Sequence, residues 1–103
     1  VSDEIPVTVI ARFTPAPERA AQLQALLGGM VAPTRSEPGC RLYNLFTAHG
    51  DDTEFVLIER YEDTPALEAH RASAHYKNYR AQLPDLLAKP IDVTVLAPVD
   101  VLD

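Results

Sequence analysis

The chain has a single cysteine, Cys40, so an intramolecular disulfide framework is excluded. A reducing compartment is the natural setting for such a chain. Tryptophan is absent, and lysine occurs only as Lys77 and Lys89. Positive charge is scarce. Nine Lys and Arg stand against 15 Asp and Glu, a formal net charge of −6. That sign repels phosphate backbones and anionic lipid, so neither nucleic acid nor a membrane surface is an expected partner. No apolar run reaches the ~20 residues that span a bilayer. The first residues, Val1-Ser2-Asp3-Glu4, lack the basic flank of a signal peptide, and a cytoplasmic protein is expected. Gly28-Gly29 lies inside a helical pattern without G-x-G-x-x-G spacing, and no G-x-x-x-x-G-K segment exists. Dinucleotide and P-loop sites are therefore excluded.

What remains is ordinary globular composition, 47% hydrophobic and 23% charged over 103 residues. One domain spanning 1–103 is expected. Val7, Val9, Ala11 and Phe13 alternate with Thr8, Ile10 and Arg12, which predicts a strand over 5–13. Thr14-Pro15 reads as a helix start, followed by a buried stripe of Leu23, Leu26, Leu27, Met30 and Val31. Pro33 kinks or restarts that helix, and Glu37-Pro38-Gly39 is a turn. Strands are predicted over 40–47 and 55–61, joined by a polar hairpin loop, His49-Gly50-Asp51-Asp52, with His49 an exposed loop residue. Cys40, Leu42, Asn44 and Phe46 are assigned to one face of the first of these strands. Asp63-Thr64-Pro65 opens a second helix, Ser73 can end it and cap another, and Pro84 stops that one. A last strand runs from Ile91 to Val95 or beyond. The order strand, helix, strand, strand, helix, strand predicts an α+β, ferredoxin-like split β-α-β fold with an antiparallel sheet. Helices cover one sheet face, and the apolar residues on the other predict a two-fold homodimer through that open face.

Chemistry-bearing side chains concentrate in Glu59, His70, Ser73, His75 and Tyr79. His70 lies three residues after Leu67 on the sheet-facing side of its helix, placed to act as a base near neutral pH. The plainer reading is a core-edge histidine satisfied by a carboxylate. Glu59, late in a strand, is the natural group to orient His70; its plainer reading is a strand acid paired with Arg41 or Arg12. His75 lies five positions past His70, and the two converge only if the helix breaks near Ser73. Nothing in the spacing of His70, His75 and Glu59 favours a metal, so no metal site is expected. Ser73 reads as a cap rather than a nucleophile. Tyr76 and Tyr79 either line a pocket for a planar aromatic or anchor their helix. Asn44, mid-strand among apolar neighbours, and Arg12 are further candidate ligand contacts. Cys40 reads as a buried, inert thiol.

The run Thr34-Arg35-Ser36-Glu37-Pro38-Gly39-Cys40, then Tyr43, Phe55 to Tyr61, Ala66 to His70, and Ser73-Ala74-His75 resembles the antibiotic biosynthesis monooxygenase family over roughly 7–95. The resemblance implies a small dimeric α+β barrel, two sheets face to face, each subunit keeping a cavity between sheet and helices. It implies oxygenation of a quinol or polyphenol by molecular oxygen without flavin, haem or metal. The electron-rich substrate anion then supplies the electrons, and the protein positions, deprotonates and excludes water. On that reading His70 or His75 is the base, Glu59 orients it, and Tyr79 or Asn44 holds the substrate oxygen. Haem-degrading branches need an asparagine, a tryptophan and an axial histidine where this sequence has Ala11, His70 and Arg80, which disfavours haem. A branch isomerising a phosphorylated dione would want clustered cations, and Arg12, Arg41 and Arg71 are not obviously convergent. The alternatives to a monooxygenase are a non-catalytic small-molecule binding or sensing domain and an oxygen-independent isomerase-type relative.

Overall fold

The computed structural model describes residues 5–48, 50 and 53–102. Its elements are β1 (Val7–Phe13), α1 (Ala20–Gly28), α2 (Val31–Arg35), β2 (Cys40–Thr47), β3 (Phe55–Tyr61), α3 (Thr64–Ala72), α4 (Ala74–Gln82), a 3-10 turn (Leu83–Asp85) and β4 (Asp92–Leu96). The sheet is antiparallel in the order β2-β3-β1-β4. The α+β class and the antiparallel sheet stand as expected. The barrel does not: β2 and β4 are the two edges, each bonded to one neighbour, and no ladder joins them. Barrel closure requires the edges to pair. Here two strands separate them, so the sheet stays open.

The period-two pattern places Val7, Val9, Ala11 and Phe13 of β1, and Phe55, Leu57, Glu59 and Tyr61 of β3, under the helices. Tyr43 of β2 joins them opposite Glu59. Leu23, Leu27, Met30, Tyr79 and Leu83 close the larger core over Ala11, Phe13, Tyr43, Phe55 and Leu57. A smaller core gathers Val7, Val9, Tyr61 and Leu67. Each such Val, Leu, Phe or Met side chain contributes about 1.5–3 kcal/mol when removed from water. A register shift between Cys40 and Leu42 returns Cys40 to the helix side, where both cores touch it. Cys40 therefore does not share the face of Leu42 and Asn44.

The first helix begins later than its Thr-Pro signal. The Ala88 N–H donates to the Thr14 carbonyl (2.8 Å), and the Ala16 N–H donates to the Leu86 carbonyl (2.9 Å). This backbone pairing holds 14–16 extended against 86–88, and a turn with Glu18 at φ 65° precedes Ala20. The chain breaks again before α2, which contains Pro33. The second helix start is as expected. Asp63 accepts from the Ala66 N–H at 2.8 Å, with proline in the first turn. The exposed-loop reading of His49 lies outside the described residues, as do Asp51 and Asp52 of the same hairpin. No helix among the described residues is long and apolar enough to cross a membrane.

One glycine is fixed by close approach. A β-carbon on Gly39 would sit 2.4 Å from the Ala66 Cβ, and the Gly39 carbonyl accepts from the Glu62 N–H at 2.9 Å. The Glu37-Pro38-Gly39 turn is thereby pressed against the start of α3. Gly39→Ala is expected to destabilise the chain by about 1–3 kcal/mol, the usual cost of overpacking. Urea unfolding should show a lower midpoint with an unchanged slope; an unchanged midpoint would contradict the close approach.

Candidate active site

Ser73 decides the geometry of the site. Its backbone is extended (φ −69°, ψ 154°), ending α3 and capping α4. Its hydroxyl donates to the His70 carbonyl at 2.6 Å and accepts from the Tyr76 N–H at 3.2 Å. The break turns His75 back towards His70, with ring centroids 6.0 Å apart. Both imidazoles then meet Glu37 from the turn before β2. His70 Nδ1 lies 2.9 Å from Glu37 Oε2 and 3.2 Å from Oε1, and His75 Nε2 lies 2.5 Å from Oε2. A carboxylate only accepts, so both ring nitrogens donate to it.

His70 is 2% exposed. The rings of Tyr43, Tyr61 and Tyr76 surround it at centroid distances of 5.9, 5.2 and 5.0 Å. Burial lowers its pKa, against the opposing pull of the Glu37 hydrogen bond. The neutral ring with its proton on Nδ1 keeps a lone pair on Nε2. That nitrogen faces Glu59 Oε1 at 3.9 Å. Glu59 is itself buried and accepts from the Tyr61 hydroxyl at 2.6 Å. Burial pushes the Glu59 carboxyl up to about 7, although the Tyr61 hydrogen bond and the Arg71 charge both pull it down. Tyr43, Tyr61 and Tyr79 are all raised, first by burial and then by the Glu59 charge, so they stay protonated.

Glu59, His70, Tyr76 and Tyr79 line one cavity with Val9, Ala11, Arg71 and Arg80. Its volume is about 20 Å³, room for one water. A groove of about 460 Å³ adjoins it, and Arg80 and Ile91 line both. Arg80 donates to the Tyr76 hydroxyl at 2.9 Å and lies over that ring.

Of the residues singled out in the sequence, His70, His75, Glu59, Tyr76 and Tyr79 are brought together. Arg12 and Asn44 are not. Arg12 is exposed, on the opposite sheet face, 3.4 Å from Glu54. Asn44 accepts from Arg35 at 3.0 Å, also away from the cavity. The residue sequence reasoning missed is Glu37, read only as part of a turn. It, rather than Glu59, holds His70 Nδ1. The signal was the Pro38-Gly39 pair behind it, whose glycine permits the approach to α3.

The sequence profile for antibiotic biosynthesis monooxygenase matches residues 6–82, about three-quarters of the chain. The chain belongs to that family. Rv0793 of Mycobacterium tuberculosis is 55% identical over 95 residues, 92% of this chain and 93% of its own length. Its solved structure superposes with a TM-score of 0.91 over 95% of this chain and 99% of that one. PA3566 of Pseudomonas aeruginosa superposes at 0.87 with 33% identity, covering 95% and 98%. YcnE of Bacillus subtilis is 31% identical over 77 residues, 75% of this chain and 81% of its own. Membership links the chain to monooxygenase-type oxidoreductases.

The raised Glu59 has a consequence for stability. Between the ordinary carboxyl value of 4.5 and about 7, the folded chain binds a proton at Glu59 that the unfolded chain has released. Stability contributed by Glu59 is therefore lost as pH rises through that window. The lowered His70 acts in the opposite sense up to its ordinary value of 6.5. Glu59→Gln removes only the first effect. Its stability relative to the parent should rise steadily from about pH 4.5 to 7 in urea unfolding under chelator. A pH-independent difference would contradict the assignment.

Proposed function

We propose that this chain is an oxidoreductase that oxygenates a quinol or polyphenol with molecular oxygen, with His70 Nε2 as the base. The orientation of His70 carries the reading. A carboxylate occupies its Nδ1–H, and the remaining lone pair faces the cavity shared with Glu59 and Tyr79. His70 takes the proton of a ring hydroxyl. The resulting anion passes one electron to oxygen, and the ring radical and superoxide join through a new C–O bond at the neighbouring ring carbon. The peroxide recovers a proton from His70. The O–O bond then breaks as the ring carbon gives up its hydrogen, leaving a hydroxyquinone and water. The substrate supplies all four electrons, and one oxygen atom ends in each product. Glu37 is a positioning residue; Tyr79, Tyr76 and Glu59 lie where substrate oxygens arrive.

The water-sized cavity takes no aromatic ring as it stands. The adjoining groove lies within the size range of ligand sites, about 300–1,000 Å³. The ring therefore enters from the groove and parts Arg80 and Ile91. The homodimer belongs to the same proposal. Ile10, Phe46 and Ile58 share the uncovered sheet face, with Phe46 47% exposed.

One observation favours a second reading. A carboxyl raised to about 7 stands 3.9 Å from an imidazole nitrogen at the edge of the same water-sized cavity. That arrangement suits oxygen-independent proton transfer, with Glu59 as acid and His70 as base. Oxygen uptake with a panel of reduced quinones separates the two. The first reading predicts uptake stoichiometric with hydroxyquinone, and a loss of about 10²–10⁴-fold in kcat/KM for a folded His70→Ala variant. Turnover without oxygen uptake would transfer the assignment to the isomerase-type reading. Uptake indifferent to His70→Ala would overturn the role of His70 in both.

A further inference from the structure

Glu37, His70 and His75 come from three separate segments, yet their donor atoms all lie within 4.8 Å of one another. Two imidazoles and a carboxylate are the donor set of zinc centres that keep a position open, and of some non-haem iron centres. The donors are correctly aimed, since both ring nitrogens already point at the same carboxylate oxygen. Ligand bonds of about 2.0–2.2 Å to a central ion require only that this oxygen and the two nitrogens spread apart. The site is reachable: the Glu37 and His75 side chains are 17% and 27% exposed, while His70 is fixed from behind by three tyrosine rings. The far side of His70 supplies the independent observation. A metal-bound histidine characteristically turns its other N–H to a carboxylate, and Glu59 Oε1, held by the Tyr61 hydroxyl, stands 3.9 Å from His70 Nε2, a separation that a small shift of the ring must shorten to make that bond.

We propose that Glu37, His70 Nδ1 and His75 Nε2 bind a divalent zinc-type cation, with Glu59 as the outer carboxylate behind His70. The site has a consequence that rests on the function proposed above. An ion on Nδ1 displaces the proton to Nε2, and the lone pair that would accept a substrate proton is gone. The loaded chain is then the inactive form, and the metal competes with turnover at a position the substrate never touches.

The direct test uses the full chain, freed of metal by chelator and titrated with Co2+ while visible absorption is followed. One equivalent should bind with the bands of a low-symmetry nitrogen–oxygen site, and Zn2+ should displace it. Affinity should fall at least tenfold in Glu37→Gln, His75→Ala and the milder His75→Gln, each checked for the parent's circular dichroism. It should fall about 10–100-fold in Glu59→Gln, the usual cost of losing an outer-shell partner. Absence of binding, or parental affinity in the folded Glu37 and His75 variants, would overturn the site. These arms use no substrate, so they stand whether or not a quinol is turned over. In an active preparation, oxygen uptake should fall with the same midpoint as metal binding. Uptake that is indifferent to Zn2+, or that rises with Fe2+, would overturn the competition while leaving the site.

Discussion

The site depends on one carboxylate serving two imidazoles. Glu37 lies on a turn between α2 and β2, while His70 and His75 belong to helices that part at Ser73. A continuous helix would point the two rings apart, because residues five positions apart do not share a face. The extended Ser73 backbone lets them converge, and the Ser73 hydroxyl satisfies groups on both sides of the break. Gly39 meets the same need from the other direction: without a β-carbon, the turn carrying Glu37 can lie against Ala66. A serine and a glycine with no chemistry of their own thus determine where the chemistry sits.

The energetic context makes this arrangement consequential. Among the described residues, Glu59 and His70 are the buried acid and histidine on the helix side of the sheet, enclosed by the apolar and aromatic residues of both cores. A buried charge without a partner is costly, so such groups either pair or become neutral. His70 does both: it is paired at Nδ1 and biased towards the neutral ring. Burial raises the Glu59 carboxyl to about 7, against the pull of Tyr61 and Arg71. An imidazole nitrogen and a carboxyl with a raised pKa then share a space too small for more than a water.

Much of the framework was legible in the sequence. Alternation in 7–13 and 55–61 separated the two faces of each strand, because a strand has only two sides, and grouped Glu59 with Phe55, Leu57 and Tyr61; that this face lies under the helices came from the packed chain. The Asp63-Thr64-Pro65 start and the Ser73 break were legible because caps use few residue types for a clear reason. Thr14-Pro15 carried the same signal and misled, since long-range backbone pairing to 86–88 overrode the local preference. The inward turn of Cys40 was hidden by a register shift, which alternation cannot anticipate. Barrel closure was inferred from likeness, and the strand order of this chain leaves both edges open. The role of Glu37 was illegible because its partners lie 33 and 38 positions away, brought close by a glycine contact that only the packed chain reveals. Arg12 and Asn44 both belong to the face turned from the cavity, which neither residue type nor a mid-strand position reveals.

The claim beneath the proposed chemistry is that Glu37 fixes the His70 proton on Nδ1 and leaves Nε2 free. Nitrogen-15 NMR of the histidine rings, recorded on chelator-treated protein at neutral pH, reads this directly, because protonated and lone-pair ring nitrogens resonate in separate regions. The account predicts a protonated Nδ1 and a lone-pair Nε2 for His70 in the parent chain, with that preference weakened in Glu37→Gln. A His70 ring carrying its proton on Nε2 in the parent chain would contradict it.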